Sequence, residues 1–126
     1  METRIFFDHE KLEVYKEAIA LVAWISPILE SLARAGDVRD QLDRASTSIP
    51  LNIAEGNGKY SLKDRARFFD MANGSAFECA SGLDVLVAKG KLSAEEVYPG
   101  KERLAGIVRM LVGLLKRITD RDYERG

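Results

Sequence analysis

The chain has 126 residues, of which 46% are hydrophobic and 31% are charged, as expected for one soluble domain with a single core. Its formal net charge of −1 excludes a general attraction to nucleic acid or anionic membranes, so such contacts would need a local patch. The single cysteine excludes an internal disulfide, and no apolar run approaches the ~20 residues of a membrane span. The N-terminus has no apolar signal core. We therefore expect one cytoplasmic domain over residues 1–126, with its core at about 8–119.

Apolar residues recur at helical spacing, and no window alternates long enough to predict a strand. The first predicted helix runs from about Asp8, a suitable N-cap, to Ala35. Gly36 follows it and is suited to a left-handed cap conformation. The second helix runs from about Asp37 to Glu55. Each helix contains an internal proline, Pro27 and Pro50, which predicts a bend or kink.

Two further helices follow. The third is predicted from Ser61, which opens a capping sequence, to about Lys89. The fourth opens at Ser93 with a better capping box, and Pro99–Gly100 is expected to separate its first turns from the rest. The polar tail, residues 120–126, is expected to be flexible. Short connections place successive helices antiparallel. The predicted fold is all-α, an up-down-up-down four-helix bundle.

A stripe of hydrogen-bonding side chains runs along the second helix beside an apolar stripe. The polar stripe comprises Gln41, Arg44, Ser48, Asn52 and Glu55, and the apolar stripe comprises Leu42, Ala45, Ile49 and Ile53. We interpret the polar stripe as a satisfied network inside the bundle or at a subunit junction; a ligand or RNA site is the alternative. A buried Arg44 would need a carboxylate partner, and we predict Glu78 first and Glu55 second.

The third helix has a broad apolar face that includes Phe68, Phe69, Ala72, Ala76, Cys79, Leu83 and Leu86. A further stripe, expected to be partly buried, contains Met71, Ser75, Glu78 and Gly82. The solvated arc is predicted to be narrow and to contain Lys63, Arg67, Asp70, Ser81 and Asp84. A helix buried on so much of its circumference needs neighbours beyond one bundle. This pattern predicts a homo-oligomer.

Candidate catalytic and metal-binding residues are sparse. His9 is the only histidine, and no cluster of borderline or soft ligands surrounds it in the sequence. Cys79 lies on an apolar face, which is typical of a small buried hydrophobe. The sequence therefore predicts no enzyme activity, no metal and no cofactor.

Basic residues form two modest local patches. One patch contains Lys59, Lys63, Arg65 and Arg67, and the other lies in the fourth helix with Arg109, Lys116 and Arg117. Most such runs are solvated faces, but RNA contact is the alternative that they suggest. No aromatic residue is expected between these basic residues to stack on bases.

Several motifs together resemble a known family. They are Gln41-x-x-Arg44, Ser48-Ile49-Pro50-x-Asn52-Ile53-Ala54-Glu55-Gly56, Arg67-Phe68 and Ala72-x-Gly74-Ser75-x-x-Glu78. Over roughly residues 6 to 118 the chain resembles the bacterial four-helix-bundle family whose founding members are encoded by intervening sequences of large-subunit ribosomal RNA genes. The accessory proteins of diversity-generating retroelements look like distant relatives.

This resemblance implies an antiparallel four-helix bundle that assembles as a ring, typically a pentamer, with association to RNA or a ribonucleoprotein. It implies structural and assembly roles for eight residues: Gln41, Arg44, Ser48, Asn52, Glu55, Gly56, Ser75 and Glu78. The retroelement relatives are strongly basic, whereas this chain is slightly acidic. We therefore predict a non-enzymatic, homo-oligomeric assembly module without membrane contact. The alternative is an RNA-binding accessory protein whose ring repeats the basic patches, and a small-molecule enzyme ranks third.

Overall fold

The structure is a computed structural model that describes residues 4–32 and 36–125, with side chains described as far as residue 121. A 3₁₀ turn, Asp8–Lys11, precedes four α-helices in the described part of the chain. The helices are α1 (Glu13–Ser31), α2 (Asp37–Gly58), α3 (Leu62–Ala88) and α4 (Ala94–Arg125). No strand occurs in these residues, which confirms the prediction of an all-α, four-helix fold. No described helix is long and apolar enough to cross a membrane.

Each helix packs against its neighbours in sequence, and α1 also packs against α4. The contacts between α2 and α3 run in opposite directions along the two helices, from Leu42 against Gly82, through Ser48 against Ser75, to Gly56 against Phe69. The same reversal holds between α1 and α4, where Trp24 meets Gly100 and Glu17 pairs with Arg103. These two pairs of helices are therefore antiparallel, and the four helices enclose one core.

The core contains the apolar stripes predicted from the sequence. Ile49 and Ile53 are both fully buried, so the predicted phase of α2 is confirmed. The apolar face of α3 is buried from Phe69 to Leu86. Burial raises the pKa of the Cys79 thiol to about 12, which keeps it protonated and unreactive at neutral pH.

Local hydrogen bonds begin α3 and α4 where the sequence predicts. The Ser61 hydroxyl accepts a hydrogen bond from the Asp64 backbone N–H at 3.1 Å. Ser93 and Glu96 form a reciprocal capping box, with distances of 2.9 and 3.0 Å. Gly36 has a φ of 77°, which favours glycine, but its ψ of −143° is not that of the expected left-handed cap, and it forms the N-cap of α2. The starts of α3 and α4 depend on neighbours in sequence, which is why they could be predicted.

The N-terminal boundary of the first helix differs from the prediction. Asp8 begins a separate 3₁₀ turn, and α1 starts only at Glu13, after the extended Leu12. The Glu10 carboxylate accepts hydrogen bonds from the backbone N–H groups of residues 6 and 7 and so caps the turn instead. The predicted end of this helix at Ala35 lies outside the described residues. Pro27 and Pro50 lie inside helices, and their bends stay predictions.

Helix α4 is longer and less interrupted than predicted. It continues through Pro99, where the missing N–H removes one i→i−4 hydrogen bond, to the Glu95 carbonyl, without ending the helix. The polar tail expected to be flexible continues α4 as far as Arg125. Its charged residues are adequate helix formers, and no glycine or proline interrupts them before Gly126.

Candidate functional site

The polar stripe of α2 meets the small-residue stripe of α3 at the seam between these helices. The Ser48 and Ser75 hydroxyl oxygens lie 2.9 Å apart. The Asn52 side-chain amide donates to the Ser48 hydroxyl at 2.8 Å and to the Ser48 carbonyl at 2.9 Å. Three of the predicted network residues are therefore hydrogen-bonded together, and they are partly buried.

The prediction that Arg44 is buried and pairs with Glu78 or Glu55 is wrong for a single chain. Arg44, Glu55 and Glu78 are all exposed, and Arg44 forms no ion pair with any described residue. Glu55 pairs instead with the Lys59 ammonium at 3.3 Å. At 100° per residue, Arg44 lies about 40° from Ser48 on one side of α2, and Asn52 lies about 40° to the other. The stripe therefore straddles the edge of the seam, with Asn52 toward α3 and Arg44 toward solvent.

The two remaining α2 residues with a predicted structural role also differ in burial. Gln41 is exposed, whereas Gly56 is buried against α3. A Cβ atom on Gly56 would lie 2.9 Å from the Phe69 ring, closer than side chains normally approach. Gly56 therefore allows α2 and α3 to pack closely, which is a structural role.

The solvent-exposed arc of α3 is wider than predicted and carries apolar side chains. The predicted solvated residues are exposed, but so are Met71 (48%) and Phe77 (56%). Leu51 of α2 is 61% exposed and shares a shallow groove with Arg44 and Ser48. We call the surface formed by Arg44, Leu51, Met71 and Glu78, around the Ser48–Ser75 contact, the α2–α3 face. Phe77 does not belong to it, because at 100° per residue it lies about 160° from Ser75 around α3. The exposure of Leu51 and Phe77 was not predicted, although each is an apolar residue on a polar arc of its helix.

A second exposed apolar surface lies at the N-terminus. Ile5, Phe6 and Phe7 are 43%, 72% and 65% exposed. The segment is nevertheless held in place, because Glu10 accepts the backbone N–H of Phe7 at 2.6 Å and the Phe7 ring stacks on His9 at 5.8 Å. His9 is thus packed among aromatic rings. We call Ile5–Phe7 the N-terminal apolar segment; its signal was the apolar run preceding Asp8.

The predicted basic residues converge on one end of the bundle, with one exception. The end of α2, the start of α3 and the last turns of α4 meet there, around a cavity lined in part by Arg65 and Arg117. Arg109 lies apart, because eight residues of α4 separate it from Arg117 by about 12 Å. Arg121, which the sequence analysis missed, also lines the cavity. We call this surface the basic end: Lys59, Lys63, Arg65, Arg67, Lys116, Arg117 and Arg121.

Aromatic rings accompany these cations, contrary to the prediction. The Phe68 ring contacts two of them, with the Lys59 ammonium 5.1 Å and the Arg67 guanidinium 4.7 Å from its centroid. Tyr60 is fully exposed in the turn between α2 and α3. The turn and the first helical turns of α3 bring these side chains together. Asp64 offsets part of the charge, at 3.9 Å from Arg67.

Among the described residues, no group of three or more histidine, cysteine, aspartate or glutamate side chains could hold a metal ion. The arrangement that the structure does present consists of surfaces: the α2–α3 face, the N-terminal apolar segment and the basic end. Such surfaces suit binding to other molecules.

Comparisons with known proteins agree with this architecture. The chain resembles a solved structure of a protein of unknown function from the S23 ribosomal protein family of Bacteroides thetaiotaomicron VPI-5482. The TM-score is 0.77 at 21% sequence identity, and the alignment covers 82% of this chain and 98% of that chain, a likeness that shows the fold. No curated protein matches the chain significantly. A family model described as "23S rRNA-intervening sequence protein" matches residues 10–113. Because this match spans most of its length, the chain belongs to the 23S rRNA-intervening sequence protein family.

Proposed function

We propose that this protein is a non-enzymatic assembly module in which copies of the chain contact one another through the α2–α3 face. The observation that carries the proposal is the exposure of Leu51 and Met71 around the Ser48–Ser75 contact. Large apolar side chains grouped on one face indicate an interaction surface, whereas single ones need no explanation. Packing against a second copy would remove both from water.

The charges on this face suit a second copy of the same chain. Arg44 projects from the α2 side and Glu78 from the α3 side, and both are exposed without an ion-pair partner among the described residues. A surface that carries both signs can be complemented by another surface of this chain. The carboxylate partner predicted for Arg44 would then come from a neighbouring subunit.

A closed ring fits the exposed surfaces better than a two-fold dimer. A two-fold dimer uses one self-complementary patch, whereas a ring joins two different patches head to tail. The N-terminal apolar segment supplies the second patch, together with Ile19 of α1, which is 44% exposed. Helix α1 contacts α2 and α4 but not α3 in the described residues, so the two patches face different directions. We propose a homopentamer, the ring that the family resemblance implies.

The solution mass tests this proposal. At micromolar concentration, we expect light scattering to give a mass of about five times the 14.0 kDa of one chain. Met71→Glu places a charge in the proposed interface and should reduce the mass to that of one chain. Tyr98→Glu is the control, because Tyr98 is an exposed large side chain on α4 (64%) outside this face.

A variant in the N-terminal apolar segment distinguishes a ring from a two-fold dimer in the same measurement. Phe6→Glu should also dissociate a ring, because it alters the second patch, but it should leave a two-fold dimer through the α2–α3 face intact. A wild-type mass equal to one chain, or Met71→Glu at full assembled mass, would refute the proposed assembly.

RNA contact is the second candidate function, and the basic end favours it. Lys59 and Arg67 contact the Phe68 ring, and Tyr60 is exposed beside them. Cations combined with accessible aromatic rings are the usual components of single-stranded nucleic-acid sites. The family description refers to 23S rRNA, which is compatible with such a partner. A ring would repeat this weak patch in every subunit and strengthen binding through multivalency.

Charge reversal tests the RNA contact. Lys63→Glu combined with Arg67→Glu should abolish a gel shift of structured RNA, while the oligomer mass stays unchanged. Wild-type affinity should fall steeply with salt, with each neutralised phosphate adding about 0.7–0.9 to the log–log slope. Lys89→Glu combined with Arg109→Glu is the control, because it makes the same charge change away from the basic end. No shift by the wild-type protein at about 50 mM salt would exclude this candidate.

A further inference from the structure

A cavity of about 360 Å³ opens at the basic end, between the start of α1, the α2–α3 turn and the last turns of α4. Its apolar floor includes Leu12, Phe69, Leu114 and Ile118. We propose that this cavity binds one nucleotide unit, with the phosphate on arginines and the base on the apolar floor. The inference rests on the second candidate function where the nucleotide belongs to RNA, and it stands alone where the nucleotide is free.

Three arginines give the cavity its positive charge. Arg65 is held by a hydrogen bond from its Nε to the Lys59 carbonyl at 2.9 Å. Arg117 and Arg121 lie one turn apart on α4 and are both exposed. None of the three forms an ion pair with a described residue. A guanidinium fixed at one nitrogen still offers its other N–H groups to a phosphate.

Two described acids offset part of this charge. The Asp8 carboxylate accepts a hydrogen bond from Asn57 at 3.0 Å and lies 3.7 Å from Lys11. The hydrogen bond from Asn57 holds the pKa of Asp8 below its usual value, and the charges of Lys11 and Arg65 add to this effect. Asp120 is the acid that lines the cavity itself. The lining therefore combines a cationic rim with a single carboxylate acceptor.

A nucleotide uses all of these groups, whereas simpler anions use only some. Inorganic phosphate would leave the apolar floor in contact with water. An aliphatic carboxylate would fill the floor but gain nothing from Asp120, which repels it. A nucleobase offers N–H donors to a carboxylate and a flat face that stacks on guanidinium planes. The volume lies near the lower end of the ~300–1,000 Å³ typical of small-molecule sites, which suits one nucleotide.

Calorimetric titration of the full chain tests the assignment. We expect a nucleoside monophosphate to bind at least about tenfold more tightly than inorganic phosphate or the matching nucleoside, because only it satisfies both halves of the cavity. Arg117→Gln combined with Arg121→Gln should weaken nucleotide binding by about tenfold or more. Arg109→Gln is the matched control, an exposed arginine of the same helix outside the cavity. All of these positions are exposed, so the helical content measured by circular dichroism should not change.

Asp120→Asn adds a readout of base recognition. It should change the ranking of the four nucleoside monophosphates, because a carboxylate accepts only and an amide also donates. Equal binding of inorganic phosphate and nucleotide, or unchanged binding by the Arg117/Arg121 double variant, would overturn the assignment.

The outcomes separate this site from the proposed RNA function. Lys63→Glu with Arg67→Glu should abolish the RNA gel shift and leave mononucleotide binding intact, because neither residue lines the cavity. An RNA shift without mononucleotide binding would overturn the cavity assignment and keep the RNA function. Mononucleotide binding without an RNA shift would support the cavity as a site for free nucleotides and remove the RNA function.

Discussion

Gly100→Ala should lower the free energy of unfolding by about 1–3 kcal/mol, although alanine is the better helix former. A Cβ atom at Gly100 would lie 2.2 and 2.3 Å from two carbons of the Trp24 ring, far inside van der Waals contact. The indole is rigid, so either its rotamer or the spacing between α1 and α4 must change. Trp24 is the only tryptophan, so its fluorescence reports on this contact during urea denaturation.

Gly113→Ala is the matched control, and its expected effect has the opposite sign. Gly113 lies in the same helix, and nothing is found within 4 Å of the Cβ position. Alanine there should raise the free energy of unfolding by up to about 1 kcal/mol, because glycine is the weaker helix former. If both variants are more stable than the parent, the Trp24 ring does not pack against Gly100 as the structure shows.

Features that depend on residues close in sequence could be predicted for this chain. At the caps, the Ser61 and Ser93 hydroxyls accept hydrogen bonds from backbone N–H groups three residues further on. The apolar stripe of α2 follows helical periodicity, and Ile49 and Ile53 are buried as expected. The all-α architecture follows from the same periodicity repeated along the chain.

The exposure of Arg44 could not be predicted, because one helix does not specify how its neighbours are placed around it. Two positions about 40° to either side of Ser48 look equivalent in the sequence. The position of α3 decides that Asn52 faces the seam and that Arg44 faces solvent. The helix pattern alone therefore suggested a buried network where the structure has one that is half exposed.

The basic end shows the same limit on a larger scale. The charged runs were visible in the sequence, but the cavity combines residues from Leu12 to Arg121. Their meeting depends on the order and lengths of all four helices. Even Phe68, only nine residues from Lys59, reaches it because the intervening turn reverses the chain. Local sequence patterns thus indicated the charged residues, and the fold determined which residues lie together at the site.

Ile53→Ala should lower the free energy of unfolding by about 2–5 kcal/mol, because it leaves a cavity at a fully buried position. Leu51→Ala is the comparison, two residues away on the same helix and 61% exposed. For the isolated chain, its effect should stay within about 0.5 kcal/mol. Urea denaturation of both variants, followed by circular dichroism at two protein concentrations, measures the difference. A cost below about 1 kcal/mol for Ile53→Ala would show that α2 has the wrong phase.

Protein concentration separates a core residue from an interface residue in this pair. Assembly stabilises the folded chain by mass action, so removal of an interface side chain lowers stability most where the wild type is assembled. Leu51→Ala should therefore cost more at high than at low protein concentration, whereas the cost of Ile53→Ala should change little. If Leu51→Ala is neutral at every concentration, Leu51 is not in an interface, and the α2–α3 face loses its α2 contribution. If the cost of Leu51→Ala rises with protein concentration, Leu51 lies in an interface. Its exposure in a single chain is then explained by a second chain that covers it in the assembly.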